Sequence, residues 1–391
     1  MPEQHWTPRI RRVNPNEQER LQFAASLLRE RRIDEARDEL LSILQEDDRS
    51  VRAHLMLGAL YQGQRMHTEA LDHFRHAIAI DPMNGAAHQR AGTCCLRLNE
   101  FDEARSLLRT ALDLDGQNTG AHMGMAQLLA RTGDIGGAIA HLEQVLRLDP
   151  QMAQARLLMA RLLSRSGKVD EAIEELDGFH NSNPSNLGAT VSLARLVEQR
   201  GNSGRAVELL EEATEAKPDG ANVWMMLGRA KMDLKDFAGA EAAFRHAVEL
   251  QASGGRGQLQ LVGALVPQGK LAAALELLGK VPRRGPRRAL VHQLYGDIYA
   301  AQKMYGEAVE SYRAALLHRE GGQAVLEELE RSLGPSPDQQ AALSRYQAAC
   351  ASQQEQMRNR LREQSGQGNA FARFARARAG GRPGVARLSR S

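Results

Sequence analysis

The chain has 391 residues, only 4% of them aromatic, and three cysteines with neither an even count nor metal-ligand spacing, which disfavours a β-sandwich, a barrel or a disulfide-stapled fold. Its formal net charge of +3 is unevenly spread: residues 358–391 hold nine arginines and one acidic residue, Glu363, for a net +8, leaving −5 on residues 1–357. No stretch reaches the ~18 apolar residues of a membrane span, the opening MPEQHWTPRIRRVNPNEQER has no apolar core of a secretory leader, and adjacent Cys94 and Cys95 suit a reducing compartment; a cytoplasmic chain is expected.

Residues 1–16 are polar and carry Pro2, Pro8 and Pro15, so they read as an extended N-terminal arm. From there an alanine recurs every 34 residues, at Ala36, Ala70, Ala104, Ala138, Ala172, Ala206, Ala240, Ala274 and Ala308. A period in this range marks a stacked repeat array. With that alanine at position 20, nine units run 17–50, 51–84, 85–118, 119–152, 153–186, 187–220, 221–254, 255–288 and 289–322.

Other positions then form columns. Position 8 is small in eight units (Ala24, Gly58, Gly92, Ala126, Ala160, Ala194, Gly228 and Gly296) and Val262 in the eighth. Large apolar residues dominate positions 7 and 11, so positions 4, 7, 8 and 11 make one face of a helix A. Positions 20, 24 and 27, such as Ala70, Phe74 and Ala77, make one face of a helix B. Gly133, Gly167 and Gly201 lie between the two faces where a helix C-cap is needed, so B returns antiparallel to A. Prolines at position 32 (Pro82, Pro150, Pro184, Pro218 and Pro286) stop helix B. In the eighth unit Val266-Pro267 is expected to shorten or kink helix A, making this the weakest unit.

After the ninth unit a short helix is predicted over 323–333, then a break at Gly334-Pro335-Ser336-Pro337, and then a longer helix over 338–364. That helix places Leu343, Tyr346, Cys350, Met357 and Leu361 on one face and caps the array within a 323–364 segment. Residues 365–391 form an Arg- and Gly-rich tail that cannot bury enough apolar surface to fold alone. Phe371, Arg373, Phe374, Arg376 and Arg378 suit an anionic partner there, whether acidic protein, nucleic acid or membrane surface; a purely solubilising tail is the alternative. The basic run Arg283-Arg284-Gly285-Pro286-Arg287-Arg288 reads as a solvated turn.

These columns resemble the tetratricopeptide repeat, with a large residue at 4, Leu at 7, Gly or Ala at 8, Tyr at 11, Ala at 20, Phe at 24, Ala at 27 and Pro at 32. The second unit (Leu57, Gly58, Tyr61, Ala70, Phe74, Ala77, Pro82) matches at every position but 4, which is His54. The resemblance implies an all-α, right-handed α-solenoid of stacked antiparallel helix pairs, and a concave groove lined by positions 2, 5, 9, 12 and 13 of the A helices. Position 9 there reads Gln127, Arg161, Arg195 and Arg229 in four consecutive units, position 13 adds Arg131 and Arg165, and position 5 supplies Leu157, Val191 and Met225. Arginines beside an apolar stripe suit an acidic segment with apolar anchors, because each guanidinium makes bidentate charge-assisted bonds. Alternatively they solvate the groove and pair internally, Arg195 with Glu198 and Arg229 with Asp233.

Catalytic motifs (a phosphate-binding Gly-rich loop, His-Glu-x-x-His, Gly-x-Ser-x-Gly) do not occur, and no catalytic residue, cofactor or metal is expected. His54, His88, His122 and His292 all fall at position 4. Successive units are ~10 Å apart, too far for one zinc whose ligands lie ~2 Å from it, so these rings are expected to pack at inter-helix contacts. The expected function is that of a non-enzymatic scaffold or adaptor binding a protein segment. A nucleic-acid-associated factor using the tail is an alternative, as is a regulatory subunit of a separately encoded enzyme or of a secretion, polysaccharide or glycosylation system.

Overall fold

The computed structural model of the chain describes residues 15–250, 255–281, 288–319, 322–333, 338 and 340–356. Among them every regular element is helical. The chain divides into two compact units, Met1–Ala155 and Arg156–Ser391. In the first, α1 (Pro15–Arg29), α2 (Ile33–Glu46), α3 (Val51–Gly63), α4 (His67–Ile80), α5 (Gly85–Leu98), α6 (Phe101–Leu114), α7 (Thr119–Thr132) and α8 (Ile135–Leu148) each pack on the next. The second is entered within α9 (Ala153–Arg165). It continues through α10 (Val169–Ser182), α11 (Leu187–Gln199), α12 (Ser203–Ala216), α13 (Ala221–Asp233), α14 (Phe237–Glu249), α15 (Arg256–Leu265), α16 (Leu271–Gly279), α17 (Arg288–Ala301), α18 (Tyr305–Leu317), α19 (Gly322–Leu333) and α20 (340–356). From α10 to α19 each helix again packs on its successor. These are stacked helix pairs, an all-α solenoid architecture.

Local chemistry sets the helix ends. Asp47, Asp81, Asp115 and Asp149, all at position 31, accept from the amide two residues on and tighten the turn after helix B. Ser50, Asn84, Asn118 and Asn186 then cap the next A helix, each accepting from the amide three residues on. Helix α1 begins at Pro15, two residues ahead of the first unit as counted from the alanine, because a proline presets φ for an opening helical turn. In the eighth unit α15 stops at Leu265 and a 3-10 turn, Val266–Gln268, carries Pro267, as the proline requires.

All nine recurring alanines are fully buried. Each sits where helix B crosses helix A, and position 8 faces the ring or branched chain at position 24. A Cβ built on Gly58 would lie 2.5 Å from Phe74, and one on Gly92 2.7 Å from Leu108. A methyl group there forces the helices apart.

Position 15 is left-handed in every unit. Glycine supplies it at Gly133, Gly167, Gly201 and Gly269, whereas Arg31, Arg65, Asn99, Lys235 and Lys303 adopt φ near +60° with a side chain present. A side chain in this region costs about 1–2 kcal/mol, and glycine gives back about 0.5–1 through the unfolded chain. Exchanging Arg31, Arg65, Lys235 and Lys303 together for Gly is therefore expected to stabilise the chain by about 2 kcal/mol. A lower unfolding midpoint in urea would contradict this.

The period extends beyond the ninth unit. Ala342 lies 34 residues after Ala308 and is 3% exposed. Tyr346 and Ala349 take positions 24 and 27, and Leu326 takes position 4. Leu326, Leu343, Tyr346 and Cys350 pack against Tyr312 and Leu316 of α18, so α19 and α20 have the interior of a tenth, degenerate helix pair. Met357 and Leu361 lie outside the described residues.

Candidate functional site

Position 4 carries a shared hydrogen-bonding device. His54 Nε2 donates to the Asp48 carbonyl at 3.1 Å, His88 Nε2 to Pro82 at 3.0 Å, His122 Nε2 to Gly116 at 3.1 Å and Trp224 Nε1 to Pro218 at 2.8 Å. Every acceptor is at position 32, six residues back, beyond the end of a B helix where carbonyls lack intrahelical partners. A carbonyl only accepts, so each imidazole carries its proton on Nε2. His and Trp share the column because both place a ring N–H at this reach.

Position 4 also meets position 23 of its own unit. Arg20 pairs with Glu39 at 2.6 Å and Arg156 with Glu175 at 2.8 Å. The other two pairs join histidine to histidine: His54 Nδ1 lies 3.0 Å from His73 Nδ1, and His122 Nδ1 lies 2.8 Å from His141 Nδ1. Burial lowers the pKa of His54, His73 and His141 and favours their neutral forms.

The arginines proposed from position 9 stand on three successive A helices of the second unit: Arg161 on α9, Arg195 on α11 and Arg229 on α13. Arg165 lies one turn beyond Arg161. Arg161, Arg165 and Arg195 are exposed, and among the described residues none has a hydrogen bond or ion pair. Arg229 is half-exposed and approaches Glu198 of α11 at 4.0 Å. Glu198 feels Arg195 of its own helix, as expected, but the ion pair comes from Arg229 in the next helix pair, because positions 12 and 9 of neighbouring A helices face each other. Burial, helped by Asp233, raises the Glu198 pKa against the opposing pull of Arg229 and Arg195. Leu157, Val191 and Met225 are half-buried on the same three helices, and a Cβ on Gly188 of α11 would touch the Leu157 methyl at 3.5 Å.

Gln127 and Arg131 are on α7 of the first unit. Gln127 is half-buried. Arg131 Nη1 donates to the Leu96 carbonyl at 2.6 Å and to Asn99 Oδ1 at 3.2 Å, closing the C-terminal end of α5. Position 9 of the ninth unit is Asp297, which accepts from the Tyr312 hydroxyl, and burial raises its pKa. Among the described residues Cys95, Glu100 and Glu103 form a cluster of metal-ligand type. Burial pushes the Cys95 thiol up to about 12, and Glu103 already binds Arg75 at 2.7 Å, so this cluster is a poor cation site.

Profiles described as tetratricopeptide repeat match residues 21–85, 61–128 and 129–178, and one described as tetratricopeptide repeat-like domain matches residues 185–330. The chain belongs to the tetratricopeptide repeat family. No curated protein matches it. Among solved structures it is similar to a tetratricopeptide repeat protein from Parabacteroides merdae ATCC 43184, at 17% identity over 64% of this chain and 100% of that one, with a TM-score of 0.49. It is also similar to PilW, a type IV pilus biogenesis factor, at 22% identity over 53% and 96% with a TM-score of 0.49. A third likeness is to pilF of Pseudomonas aeruginosa, at 20% identity over 52% and 92% with a TM-score of 0.45.

Tetratricopeptide repeats bind protein or peptide partners. In this member of the family no helix among the described residues is long and apolar enough to cross a membrane. Phe371, Arg373, Phe374, Arg376 and Arg378 of the tail, and Arg283, Arg284 and Arg287 of the basic run, lie outside the described residues. His73 and His141, absent from the sequence-derived site, are the residues that the repeat columns miss. The signal was present as a 19-residue spacing shared with Arg20/Glu39 and Arg156/Glu175.

Proposed function

We propose that the chain is a non-enzymatic scaffold whose second compact unit, Arg156–Ser391, binds an acidic protein segment with apolar anchors, and so helps assemble a multiprotein complex. One observation carries this reading: among the described residues Arg161, Arg165 and Arg195 are exposed and make no hydrogen bond or ion pair, whereas Arg20, Arg75, Arg156 and Arg205 each hold a carboxylate. Leu157, Val191 and Met225 beside them offer contacts for aliphatic or aromatic anchors, and Arg229 joins by exchanging Glu198 for the ligand. On α7 of the first compact unit, Gln127 is half-buried, and Arg131 is free to meet a ligand only after releasing the Leu96 carbonyl. The Arg-rich tail supplies a second, anion-seeking contact in this reading. A reducing cytoplasm suits it, since Cys94, Cys95 and Cys350 are buried free thiols.

The test uses immobilised peptides in which Asp and Glu alternate with Leu and Phe, beside lysine-for-acid counterparts. The full chain is expected to retain the acidic set. Arg161→Glu, Arg195→Glu and Arg229→Glu together are expected to weaken binding at least about 30-fold, because charge-assisted bonds are each worth about 1.5–3 kcal/mol. Equal retention of both peptide sets, or unchanged binding by a triple variant of native helicity, defeats the proposal.

A further inference from the structure

Two pairs of imidazoles in the first compact unit, Met1–Ala155, face each other nitrogen to nitrogen. In each, the position-4 ring has committed its proton: His54 Nε2–H goes to the Asp48 carbonyl and His122 Nε2–H to the Gly116 carbonyl. The Nδ1 atoms of His54 and His122 are therefore lone pairs, and His73 and His141 meet them as Nδ1–H donors. An imidazole whose second nitrogen is pinned to a backbone carbonyl, with its free lone pair aimed at another imidazole, has the arrangement of a metal-bound histidine and its supporting hydrogen bond.

Distances agree with this. Two imidazoles on one tetrahedral zinc, with nitrogens ~2.0–2.1 Å from the metal, place their nitrogens ~3.3 Å and their ring centroids ~5.2 Å apart. Here the nitrogens are 3.0 and 2.8 Å apart. The centroids are 5.3 Å apart for His54 and His73, and 5.1 Å for His122 and His141. The ring centres already sit at the required separation, and a modest ring rotation admits the ion. We propose that each pair is a binding site for a borderline divalent transition metal such as zinc, copper(II) or nickel(II), held between the two Nδ1 atoms with water in its open positions.

Binding requires His73 and His141 to shift their proton from Nδ1 to Nε2 through solvent, so a neutral pair releases no net proton. The two sites differ in strength. On α4, His76 follows His73 at i+3, stacks on His54 with centroids 5.1 Å apart and donates its Nδ1–H to the Asp72 carbonyl at 2.8 Å. His76 is exposed and, after a change of rotamer, is the candidate third ligand, whereas the second pair has Gln144 at that place. His88 is an internal control. Its Nε2–H is pinned in the same way and its buried Nδ1 has no partner among the described residues, but position 23 is Leu107, so the third repeat offers one ligand and no site.

Metal-free full-length chain is titrated with zinc in competition with a chromogenic chelator near pH ~7.5, where neutral imidazoles are available. The expected result is two zinc ions held per chain, one more tightly than the other. His73→Gln removes the tighter, His141→Gln the weaker, and the double variant both; glutamine keeps an N–H donor toward the partner Nδ1, so native helicity is retained. Independently of folding of the variants, electron paramagnetic resonance of the copper(II)-loaded native chain is expected to show coupling to imidazole nitrogen. Failure of the native chain to hold zinc against the chelator, a double variant with undiminished stoichiometry, or copper spectra without nitrogen coupling each overturns the proposal.

Discussion

Phe244→Ala is expected to destabilise the second compact unit by about 3–5 kcal/mol, the range for emptying a buried aromatic site. Phe244 is fully buried between α13 and α15, packed with Ala240, Leu259, Val262 and Ala264. Its ring lies over Gly228, where a built Cβ would fall within 3 Å of three ring carbons. Gly228→Leu should therefore also destabilise, by overpacking rather than by a cavity. The two lesions are complementary, one adding volume where the other removes it. The double variant is expected to be more stable than the sum of the single losses by 1 kcal/mol or more, a coupling typical of residues in contact. Urea unfolding of all four chains, followed by circular dichroism, measures the cycle; strict additivity would show that positions 8 and 24 do not set the helix spacing.

That contact was legible in the sequence because position 8 is small and position 24 large in the same units. Repetition makes each column a comparison of the chain with itself, so residues that set packing stand out. Residues that pair within one unit do not. His54 and His73 fall in different columns, and neither column is uniform: position 23 is Glu39, His73, Leu107, His141 and Glu175 in the first five units. In four of these five units the pair is complementary, acid with base or imidazole with imidazole, with His88 and Leu107 the exception, and a column read alone cannot show it.

The groove was legible as positions and only partly as charge. Arg195 and Glu198, or Arg229 and Asp233, are near neighbours in sequence, yet the acid at 198 is approached by Arg229 from the following helix pair. Local spacing predicts contacts along one helix, but in a stack the face of one A helix is completed by the next. Arg131 shows the same rule, since its guanidinium serves the Leu96 carbonyl of the preceding pair. The tenth pair escaped notice for another reason. Glu330 stands at position 8, where a small residue is expected, and Pro335 and Pro337 interrupt the pattern between the two faces, while the alanine at 342 keeps its place.

The eighth helix pair depends on charge as well as packing. Helix α16 has nine residues, fewer than the 13 or 14 of the other B helices through α18, and its link to the seventh unit runs through Glu241 of α14. Glu241 is 7% exposed and accepts from Lys270 at 2.6 Å, Arg245 at 2.8 Å and Gln268 at 2.9 Å. Burial alone would raise its pKa, but the bonds from Lys270, Arg245 and Gln268 outweigh burial and hold it down at about 2. Since the unfolded carboxyl titrates near 4.5, the unfolded chain binds the proton first as pH falls. The stabilisation is thus complete above about pH 4.5 and is lost progressively toward pH 2. Glu241→Gln removes the charge from two charge-assisted bonds of about 1.5 kcal/mol each, so it is expected to cost about 3 kcal/mol near neutrality. Unfolding curves of native and variant chains should converge as the pH is lowered through that window. A stability difference that stays constant down to pH 2 would mean that Glu241 acts through its shape and not its charge.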